Sequence, residues 1–318
     1  MTSSIPLRIK RIETVALDVK FLTLHHRDDA PLPDWQAGAH IELELPNGLV
    51  RSYSLLNRPG ETGHYQIAVH KSPTSAGGSR CVHEALSEGS ELSAQAPRNH
   101  FPLHEEAGHS CLIAGGIGIT PLMAMAQRLN QLGRRWELHY CVRTPEHAAF
   151  VRELQTLADE HGNHFVCHFD QVSDANPLDI AATVRTGNAD THWYCCGPTG
   201  MLEAFEQATK HCRDRAHVEY FGAKQEAALE GGYTIELARS GKTLHVPPGR
   251  SILDVVLAAG INVKTSCREG ICGSCETGII EGEADHRDAL LTPEEQAENT
   301  TMMICCSGAK SGKLVLDL

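Results

Sequence analysis

The stretch "CREGICGSC", residues 267–275, places three cysteines within a short, glycine-containing loop. Cys267, Cys272 and Cys275 are separated by four and then two residues, and Cys305 follows after a further 29. This C-x4-C-x2-C…C spacing is that of plant-type [2Fe–2S] sites, in which four thiolates converge on two irons. The spacing therefore predicts a cluster held by the C-terminal part of the chain.

Three points about this loop follow from the residues. Gly270 and Gly273 allow backbone N–H groups to approach the cluster sulfurs. Cys306 is adjacent to Cys305, so either thiol is a candidate for the fourth ligand. Structural zinc and buried free thiols are the alternatives, although zinc sites usually show two short cysteine pairs rather than one pair and a distant thiol.

Composition bounds the class of protein. The chain has 318 residues, of which 41% are hydrophobic and 21% charged, and these values predict a globular protein of two or three domains. A formal net charge of -12 argues against nucleic-acid binding. Twelve cysteines and an N-terminus without an apolar segment predict a cytoplasmic protein with free thiols.

The first hundred residues show short alternating strands. "IELELPNGLVRSYSLLN" alternates around an Asn47-Gly48 turn, and "HYQIAVHK" is a further strand. This pattern predicts an antiparallel barrel or sandwich.

From residue 103 the pattern changes to strands that alternate with helices. "CLIAGG" leads into the helical "TPLMAMAQRLNQLG", and "WELHYCVR", "HFVCHFD" and "THWYCCGP" are further strands. A parallel α/β domain is predicted over residues 103–223, after a first domain at 1–102.

Residues 224–232, "KQEAALEGG", are the linker candidate, because they lack a strand period and end in two glycines. Residues 233–318 then predict a small α+β domain. A hairpin turns at Ser240-Gly241, and the helix "SILDVVLAAG" is capped by Ser251 and ends at Gly260.

Two motifs in the first domain suggest a bound phosphate and aromatic ring. In "RSYSL", Arg51 is suited to a phosphate, Tyr53 to packing on an isoalloxazine, and Ser54 to a ring nitrogen. In "AGGSRCVH", Gly77 and Gly78 precede a helix start whose N–H groups bind anions. Alone, each motif is more often an ordinary strand or turn.

Two loops of the second domain are candidates for a pyridine nucleotide. "AGGIGITP", residues 114–121, follows a strand and opens a helix, as a pyrophosphate-binding turn requires. It is G-G-x-G and not the dinucleotide fingerprint G-x-G-x-x-G. "CCGPTGM", residues 195–201, ends another parallel strand, so both loops are expected to border one crevice.

In their order, the motifs resemble the phthalate dioxygenase reductase family, with vanillate demethylase and phenoxybenzoate dioxygenase reductases as relatives. The matching stretches are "RSYSL", "AGGIGITP", "YCCGP", "VEYFGA", "GEADHRD" and "KLVLDL". The resemblance implies an antiparallel flavin-binding β-barrel, a ferredoxin-reductase-like parallel α/β NAD domain and a C-terminal plant-type ferredoxin (β-grasp) domain. It also implies FMN, NADH and a [2Fe–2S] cluster as cofactors.

The resemblance implies site residues as follows. FMN would be held by Arg51, Tyr53, Ser54, Ala68, Val69, Gly78 and Ser79, with Phe221 near the flavin ring. NADH would lie along Gly115, Gly116, Gly118, Thr120, Cys196, Gly197 and Pro198. The metal ligands would be Cys267, Cys272, Cys275 and Cys305, because relatives place the fourth ligand two residues before Ser307.

Two residues depart from the family pattern. Relatives often carry Arg where this chain has Ala76, so Arg80 or Lys71 is a candidate replacement for a phosphate contact. Relatives also often carry Arg where this chain has Gly308, which affects the edge of the cluster or a docking surface.

The predicted reaction is electron transfer from NADH through FMN and the cluster to a separate Rieske-type oxygenase of aromatic catabolism, and it needs no acid–base pair. The protein is expected to be monomeric. The acidic segment 281–298 either docks this partner or is an ordinary solvated surface. Alternatives are FAD or NADPH (with Arg143 on a 2′-phosphate), a quaternary-amine demethylase as partner, or a zinc-stabilised interaction protein.

Overall fold

The structure is a computed structural model that describes residues 4–73, 77–222 and 225–318. The chain forms two compact units, Met1–Glu219 and Tyr220–Leu318. Among the described residues, no helix has the length and apolar character needed to cross a bilayer. The proposed boundaries at 102, 223 and 232 remain predictions.

The N-terminal part of the first unit is an antiparallel barrel. Its strands are β1 (Ile5–Ala16), β2 (Val19–His26), β3 (Ala39–Glu44), β4 (Val50–Ser54), β5 (Tyr65–His70), β6 (Glu91–Ala94) and β7 (Arg98–Asn99). They pair in the order β4-β3-β6-β1-β2-β5, with β7 on β3. The two outer strands, β4 and β5, lie side by side, and the N–H of Leu56 just after β4 donates to the carbonyl oxygen of Gln66 in β5 at 3.0 Å. This approach of the two outer strands favours the barrel over the sandwich.

A short helix, α1 (Gly78–Glu84), follows β5. It begins after Gly77, whose φ of 100° lies in the left-handed region that glycine adopts without strain. His83 of α1 lies 2.8 Å through Nε2 from the carbonyl oxygen of Val69, which fastens the helix to β5.

The rest of the first unit is a parallel α/β layer. Its strands are β8 (His109–Gly115), β9 (Arg135–Val142), β10 (His164–Phe169), β11 (Thr191–Cys196) and β12 (Ala216–Glu219), in the order β10-β9-β8-β11-β12. Its helices are α2 (Ile119–Gln131), α3 (Val151–His161), α4 (Ile180–Thr186) and α5 (Thr199–Ala208). One continuous hydrophobic core joins this layer to the barrel, from Leu7 to Cys196.

The second unit is a mixed sheet with one helix packed on it. Its strands are β13 (Tyr233–Leu237), β14 (Lys242–Val246), β15 (Glu276–Glu281), β16 (Ala284–Asp285), β17 (Thr301–Met303), β18 (Gly308–Ala309) and β19 (Lys313–Leu316). Five of them pair in the order β14-β13-β19-β15-β17, and β16 pairs with β18. The helices are α6 (Ile252–Ala258) and α7 (Pro293–Glu298).

The start of α6 agrees with its sequence pattern. Ser251 is the N-cap, and its side chain accepts a hydrogen bond from the N–H of Asp254. Ile252, Leu253 and Val256 are buried in a core separate from that of the first unit. The predicted three-part fold class of barrel, parallel α/β layer and β-grasp domain is confirmed.

Residues 225–232 pack on the second unit, while Lys224 lies outside the described residues. The N–H of Ala228 donates to the carbonyl oxygen of Cys306 at 2.8 Å, and the N–H of Gly249 donates to Leu229 at 2.8 Å. A Cβ on Gly231 would lie 2.4 Å from the backbone of Pro247, so this position requires glycine. The segment is thus held by backbone contacts to the cysteine-bearing unit.

Candidate functional site

The predicted pyrophosphate turn lies at the carboxyl end of β8. Gly115 ends the strand, and a single 3-10 turn covers Gly116–Gly118 before α2 begins. Gly116 has a φ of 53°, and a Cβ there would meet no atom within 4 Å. The Thr120 hydroxyl donates to the carbonyl oxygen of Ile117 at 3.0 Å and closes the turn.

The second predicted loop, at the carboxyl end of β11, touches the first. A Cβ on Gly118 would lie 2.1 Å from the carbonyl oxygen of Cys196, and one on Gly115 would lie 2.5 Å from Cδ of Pro198. A Cβ on Gly197 would lie 3.0 Å from Cα of Gly115. The glycines are needed because the two backbones are in contact, and this contact brings the predicted NADH residues to one edge of the sheet.

A carboxyl group with one enclosed oxygen lies beside this edge. Glu219, at the end of β12, pairs in register with Cys196 of β11. Its Oε2 is enclosed and has no hydrogen-bond partner among the described residues. Burial raises the pKa of Glu219 to about 8, so the side chain is a neutral acid at pH 7.

Cys196 itself is fully buried, and burial raises the pKa of its thiol well above the ordinary value. The sequence analysis did not identify Glu219. A carboxylate that ends a strand in "HVEYFGA" was the available signal, but its burial depends on the packing of the sheet.

The predicted flavin residues lie on three neighbouring elements of the barrel. Arg51, Tyr53 and Ser54 are on β4, Ala68 and Val69 on β5, and Gly78 and Ser79 at the start of α1. Ser54 and Ala68 are each 6% exposed, whereas Arg51 and Tyr53 are half-buried. Burial raises the pKa of Tyr53, so its phenol stays protonated.

Arg51 lies against the start of α1. A Cβ on Gly78 would lie 2.9 Å from Cγ and 3.0 Å from Nε of Arg51, so only glycine leaves room for the guanidinium beside the helix start. The N–H of Ser72 donates to Oγ of Ser79 at 3.2 Å and joins the residues just after β5 to α1. A guanidinium next to the start of a helix is suited to a phosphate.

Of the residues suggested to replace the family's arginine, Lys71 pairs with Glu84 at 2.9 Å on the surface and Arg80 is exposed. Ala76 lies outside the described residues.

The barrel strand and the nucleotide turn are adjacent. β5, which carries Ala68 and Val69, contacts the turn Gly116–Gly118. A flavin along β4 and β5 and a nicotinamide at the 116–118 turn would therefore meet within the first unit, which hydride transfer requires.

The four predicted ligands Cys267, Cys272, Cys275 and Cys305 are buried, with exposures of 3 to 7%. Their thiols form two hydrogen-bonded pairs. Hydrogen bonding from the thiol of Cys267 lowers the pKa of Cys272, and that from Cys275 lowers the pKa of Cys305. Two pairs of converging sulfurs suit two irons that each take two thiolates.

Backbone N–H groups surround these sulfurs. The N–H of Glu269 donates to Sγ of Cys267 at 3.3 Å, and the N–H of Gly270 bonds Cys305. Gly270 and Gly273 have φ values of 70° and 68°, which turn the loop around the sulfurs. Since such N–H groups stabilise thiolates and cluster sulfurs, the residues present fit a [2Fe–2S] cluster.

Cys306 is 2% exposed, and its thiol donates to the carbonyl oxygen of Met303 at 3.7 Å. A Cβ on Gly270 would lie 2.5 Å from Sγ of Cys306, so this fifth sulfur packs behind the loop. Hydrogen bonding to Cys305 and burial raise the pKa of Cys306, and its thiol stays protonated.

The two remaining sequence predictions lie elsewhere in the second unit. Phe221 is 40% exposed. A Cβ on Gly308 would lie 2.8 Å from Cβ of Ala228, so the glycine makes room for the segment 225–232.

Several carboxylates of the acidic segment 281–298 stabilise the local fold. Asp288 is 2% exposed, and its Oδ2 accepts from the N–H groups of Leu290 and Leu291 at 3.2 and 2.8 Å. Further carboxylates have local partners: Asp285 with Arg287 at 2.7 Å, Glu283 with Lys310 at 3.3 Å, and Glu295 with Thr292 in a capping box. Glu281, Glu294 and Glu298 of this segment are exposed.

Comparison with known proteins identifies two domains. Residues 235–310 match the family model of the 2Fe-2S iron-sulfur cluster binding domain, and residues 112–207 match that of the oxidoreductase NAD-binding domain. These matches assign the cysteine loop to a [2Fe–2S] domain and contradict the zinc alternative.

Full-length relatives extend the match to the whole chain. It is 46% identical to tetrachlorobenzoquinone reductase of Sphingobium chlorophenolicum, over 99% of this chain and 98% of that protein. It is 46% identical to phenoxybenzoate dioxygenase subunit beta of Ectopseudomonas oleovorans, over 99% of this chain and 97% of that protein.

A solved structure of phthalate dioxygenase reductase, described as modular for electron transfer from pyridine nucleotides to [2Fe-2S], has the same fold. It matches with a TM-score of 0.76 at 39% identity and covers 99% of this chain and 98% of that one. The predicted resemblance is thereby confirmed. This chain belongs to the phthalate dioxygenase reductase family and is an oxidoreductase that uses NADH, FMN and a [2Fe–2S] cluster.

Proposed function

We propose that this chain is the reductase component of a two-component, Rieske-type oxygenase system and supplies a separate oxygenase with single electrons from NADH. The observation that supports this most strongly is the presence of two sites in one chain. A nucleotide turn touches a flavin-type strand in the first unit, and four buried, paired cysteines occupy the second. The names of relatives that serve dioxygenases support the choice of partner.

In the first unit, Arg51 and the N–H groups at Gly78 and Ser79 hold the FMN phosphate. Tyr53 and Ser54 on β4 and Ala68 and Val69 on β5 hold the isoalloxazine, where apolar contacts exclude water. When bound, FMN accepts two electrons as hydride and releases them singly, which suits a cluster that takes one at a time.

The nucleotide is positioned by Gly115, Gly116, Gly118 and Thr120 on one loop and by Cys196, Gly197 and Pro198 on the other. Glu219 keeps its proton on the buried carboxyl group at pH 7, so no negative charge opposes the nucleotide phosphates at this edge. NADH is the proposed donor, in line with the family.

Cys267, Cys272, Cys275 and Cys305 hold the cluster in the second unit. The N–H groups of Glu269 and Gly270 stabilise the charge on their sulfurs. Burial of all four limits contact between water or oxygen and the cluster.

The test is stopped-flow reduction of the wild type and Cys272→Ser by NADH. In the variant, NADH should still bleach the flavin at the wild-type rate, while reduction of a purified Rieske oxygenase falls to background. Cys167→Ser, which removes a thiol of the edge strand β10 in the first unit, is the matched control and should reduce the oxygenase normally. Unchanged oxygenase reduction by Cys272→Ser would contradict the proposal.

A small quinone is a second candidate acceptor, because a relative at 46% identity is named tetrachlorobenzoquinone reductase. A quinone reduced directly at the flavin would still be reduced by Cys272→Ser, whereas an oxygenase would not. Comparing the two acceptors with the same variant therefore separates the two functions.

The exposed carboxylates Glu281, Glu294 and Glu298 are proposed to steer a basic face of the oxygenase. The association rate should fall as ionic strength rises, and a flat dependence would contradict this docking role. We also infer a monomeric, cytoplasmic protein, in keeping with twelve cysteines that form no disulfide among the described residues. Light scattering of the purified protein tests the monomer.

A further inference from the structure

Three histidines meet at the amino-terminal end of two strands in the first unit. His104 lies in the segment between β7 and β8, His192 lies near the start of β11, and His217 lies on β12. The two nucleotide loops leave β8 and β11 at their carboxyl ends. Since Cys196 is four residues beyond His192 on an extended strand, about 13 Å separate the histidines from that crevice.

The three imidazoles present their ring nitrogens to one another. One nitrogen from each ring lies within 4.8 Å of the others. Nδ1 of His192 and Nε2 of His217 are 3.0 Å apart. The ring centroid of His104 is 4.7 Å from that of His192 and 4.6 Å from that of His217.

The surroundings hold these rings in place. The N–H of His104 donates to the phenol oxygen of Tyr194 at 2.9 Å, and the Tyr194 ring stacks on His217 with centroids 4.6 Å apart. Arg215 bonds the carbonyl oxygens of Asn188 and Thr191 at 3.2 and 2.9 Å, which fixes the start of β11.

Burial favours the neutral form of both strand histidines. Burial and the neighbouring His104 and His192 lower the pKa of His217 to about 3. Burial, with His104 and Arg215 nearby, lowers the pKa of His192, while Asp214 acts in the opposite direction on both. Neutral imidazole is the form that ligates metals.

We propose that His104, His192 and His217 form a binding site for Zn²⁺, with water as the fourth ligand. Zinc prefers imidazole nitrogens at about 2.0–2.1 Å in a tetrahedral arrangement, which places ligand nitrogens about 3.3 Å apart. The observed separations of up to 4.8 Å reach that value by rotation of side chains, above all of the exposed His104.

The ion would fasten the segment that leads from the barrel into β8 to the strand starts of β11 and β12. Zn²⁺ has no redox chemistry under these conditions, so it would stabilise the first unit without entering the electron path. The three histidines belong to the first unit and the cysteine loop to the second.

A rival cluster lies elsewhere on the same sheet and has to be distinguished. Cys111, Glu137 and His139 also bring one ligand atom each within 4.8 Å. Cys111 is fully buried, and burial with Glu137 beside it raises the pKa of its thiol well above the ordinary value, so binding there would have to remove a tightly held proton. The histidine cluster requires no such deprotonation.

The test is equilibrium dialysis of the purified holoprotein, with flavin and cluster loaded, against buffered Zn²⁺, followed by metal analysis. We expect the wild type to bind one zinc that His104→Gln and His217→Gln bind at least about tenfold more weakly. His164→Gln, which removes an exposed histidine of β10, is the matched control and should bind as the wild type does.

Measurement of the Tm gives a second test that does not depend on metal analysis. Zn²⁺ should raise the Tm of the wild type and of His164→Gln but not that of His104→Gln, because a ligand that binds only the folded state stabilises it. His104 is exposed, so this variant is expected to fold even if His217→Gln does not. Equal zinc binding by the wild type and His104→Gln, or loss of the zinc only in His139→Gln, would overturn the proposal.

Discussion

The nucleotide edge of the first unit and the cysteine loop of the second are built by different means. At the nucleotide edge, the decisive contacts are between backbones, with Gly118 against the carbonyl oxygen of Cys196. In the cysteine loop, the decisive atoms are side-chain sulfurs whose spacing follows from cluster geometry. A site of side-chain ligands is visible as a motif, whereas a site of backbone contacts becomes visible only when the sheet brings two loops together.

The largest expected effect concerns the choice between two adjacent sulfurs. Cys305→Ser should lose the visible absorbance and electron paramagnetic resonance signal of the cluster, because its sulfur pairs with that of Cys275. Cys306→Ser should retain both signals, since Sγ of Cys306 lies behind the loop against Gly270. The opposite outcome would make Cys306 the ligand and show that spacing alone misassigns this site.

The next prediction tests the backbone contact. Gly118 has an ordinary helical φ of -62°, so Gly118→Ala adds a methyl group without backbone strain. That methyl group would lie 2.1 Å from the carbonyl oxygen of Cys196, and the two loops must separate. We expect a loss of about 3 kcal/mol in the free energy of unfolding and slower flavin reduction by NADH.

Gly200→Ala is the matched control, because a Cβ there meets no atom within 4 Å. It lies in α5, where alanine should leave stability unchanged or raise it by about 0.5–1 kcal/mol. Urea unfolding of both variants measures the difference. If the two behave alike, the close approach of the loops does not determine this edge.

A third prediction uses the buried acid at the same edge. The pKa of Glu219 is about 8 in the folded protein, above its ordinary 4.5, so the folded state keeps a proton that the unfolded chain releases. The stabilising effect of this proton is complete below pH 4.5 and is lost as the pH rises towards 8. Glu219→Gln should remove this dependence, which amounts to at most about 1.4 kcal/mol per pH unit.

Urea unfolding of the wild type and Glu219→Gln at several pH values between 5 and 8 checks this. Asp190→Asn, which removes an exposed carboxyl group, serves as the control and should follow the wild type. Parallel pH profiles for wild type and Glu219→Gln would mean that the carboxyl group is ionised in the folded protein.

The sequence predicted features whose signal lies within one segment and not those created by packing between segments. Alternation and helical periodicity predicted the β-rich, α/β and α+β parts of the chain, because burial of one face of a strand or helix leaves a periodic pattern in the sequence. Whether the first sheet is a barrel or a sandwich was open from sequence, since closure depends on contact between β4 and β5, which belong to different hairpins.

The functional residues divide in the same way. The cysteine spacing and the two glycine loops could be found from sequence, but the buried state of Glu219 could not, because it is created by neighbouring strands. Asp288 shows the converse: it belongs to an acidic run that suggests surface charge, yet it is buried and accepts bonds from Leu290 and Leu291. The charge of a segment can be read from its sequence, whereas the burial of each of its side chains depends on the packing of the folded protein.

The smallest expected effect lies in the scaffold of the cysteine unit. Ser251 caps α6, accepting from the N–H of Asp254 at 3.1 Å, and the N–H of Leu253 donates to Ile304, next to Cys305. Ser251→Ala should cost about 1 kcal/mol while leaving the cluster spectrum unchanged, because the ligands are held by their own loop. Ser240→Ala, in the turn after β13, is the control and should cost less. A changed cluster spectrum in Ser251→Ala would show that the cysteine loop depends on the helix, and that it too is built by distant backbone contacts.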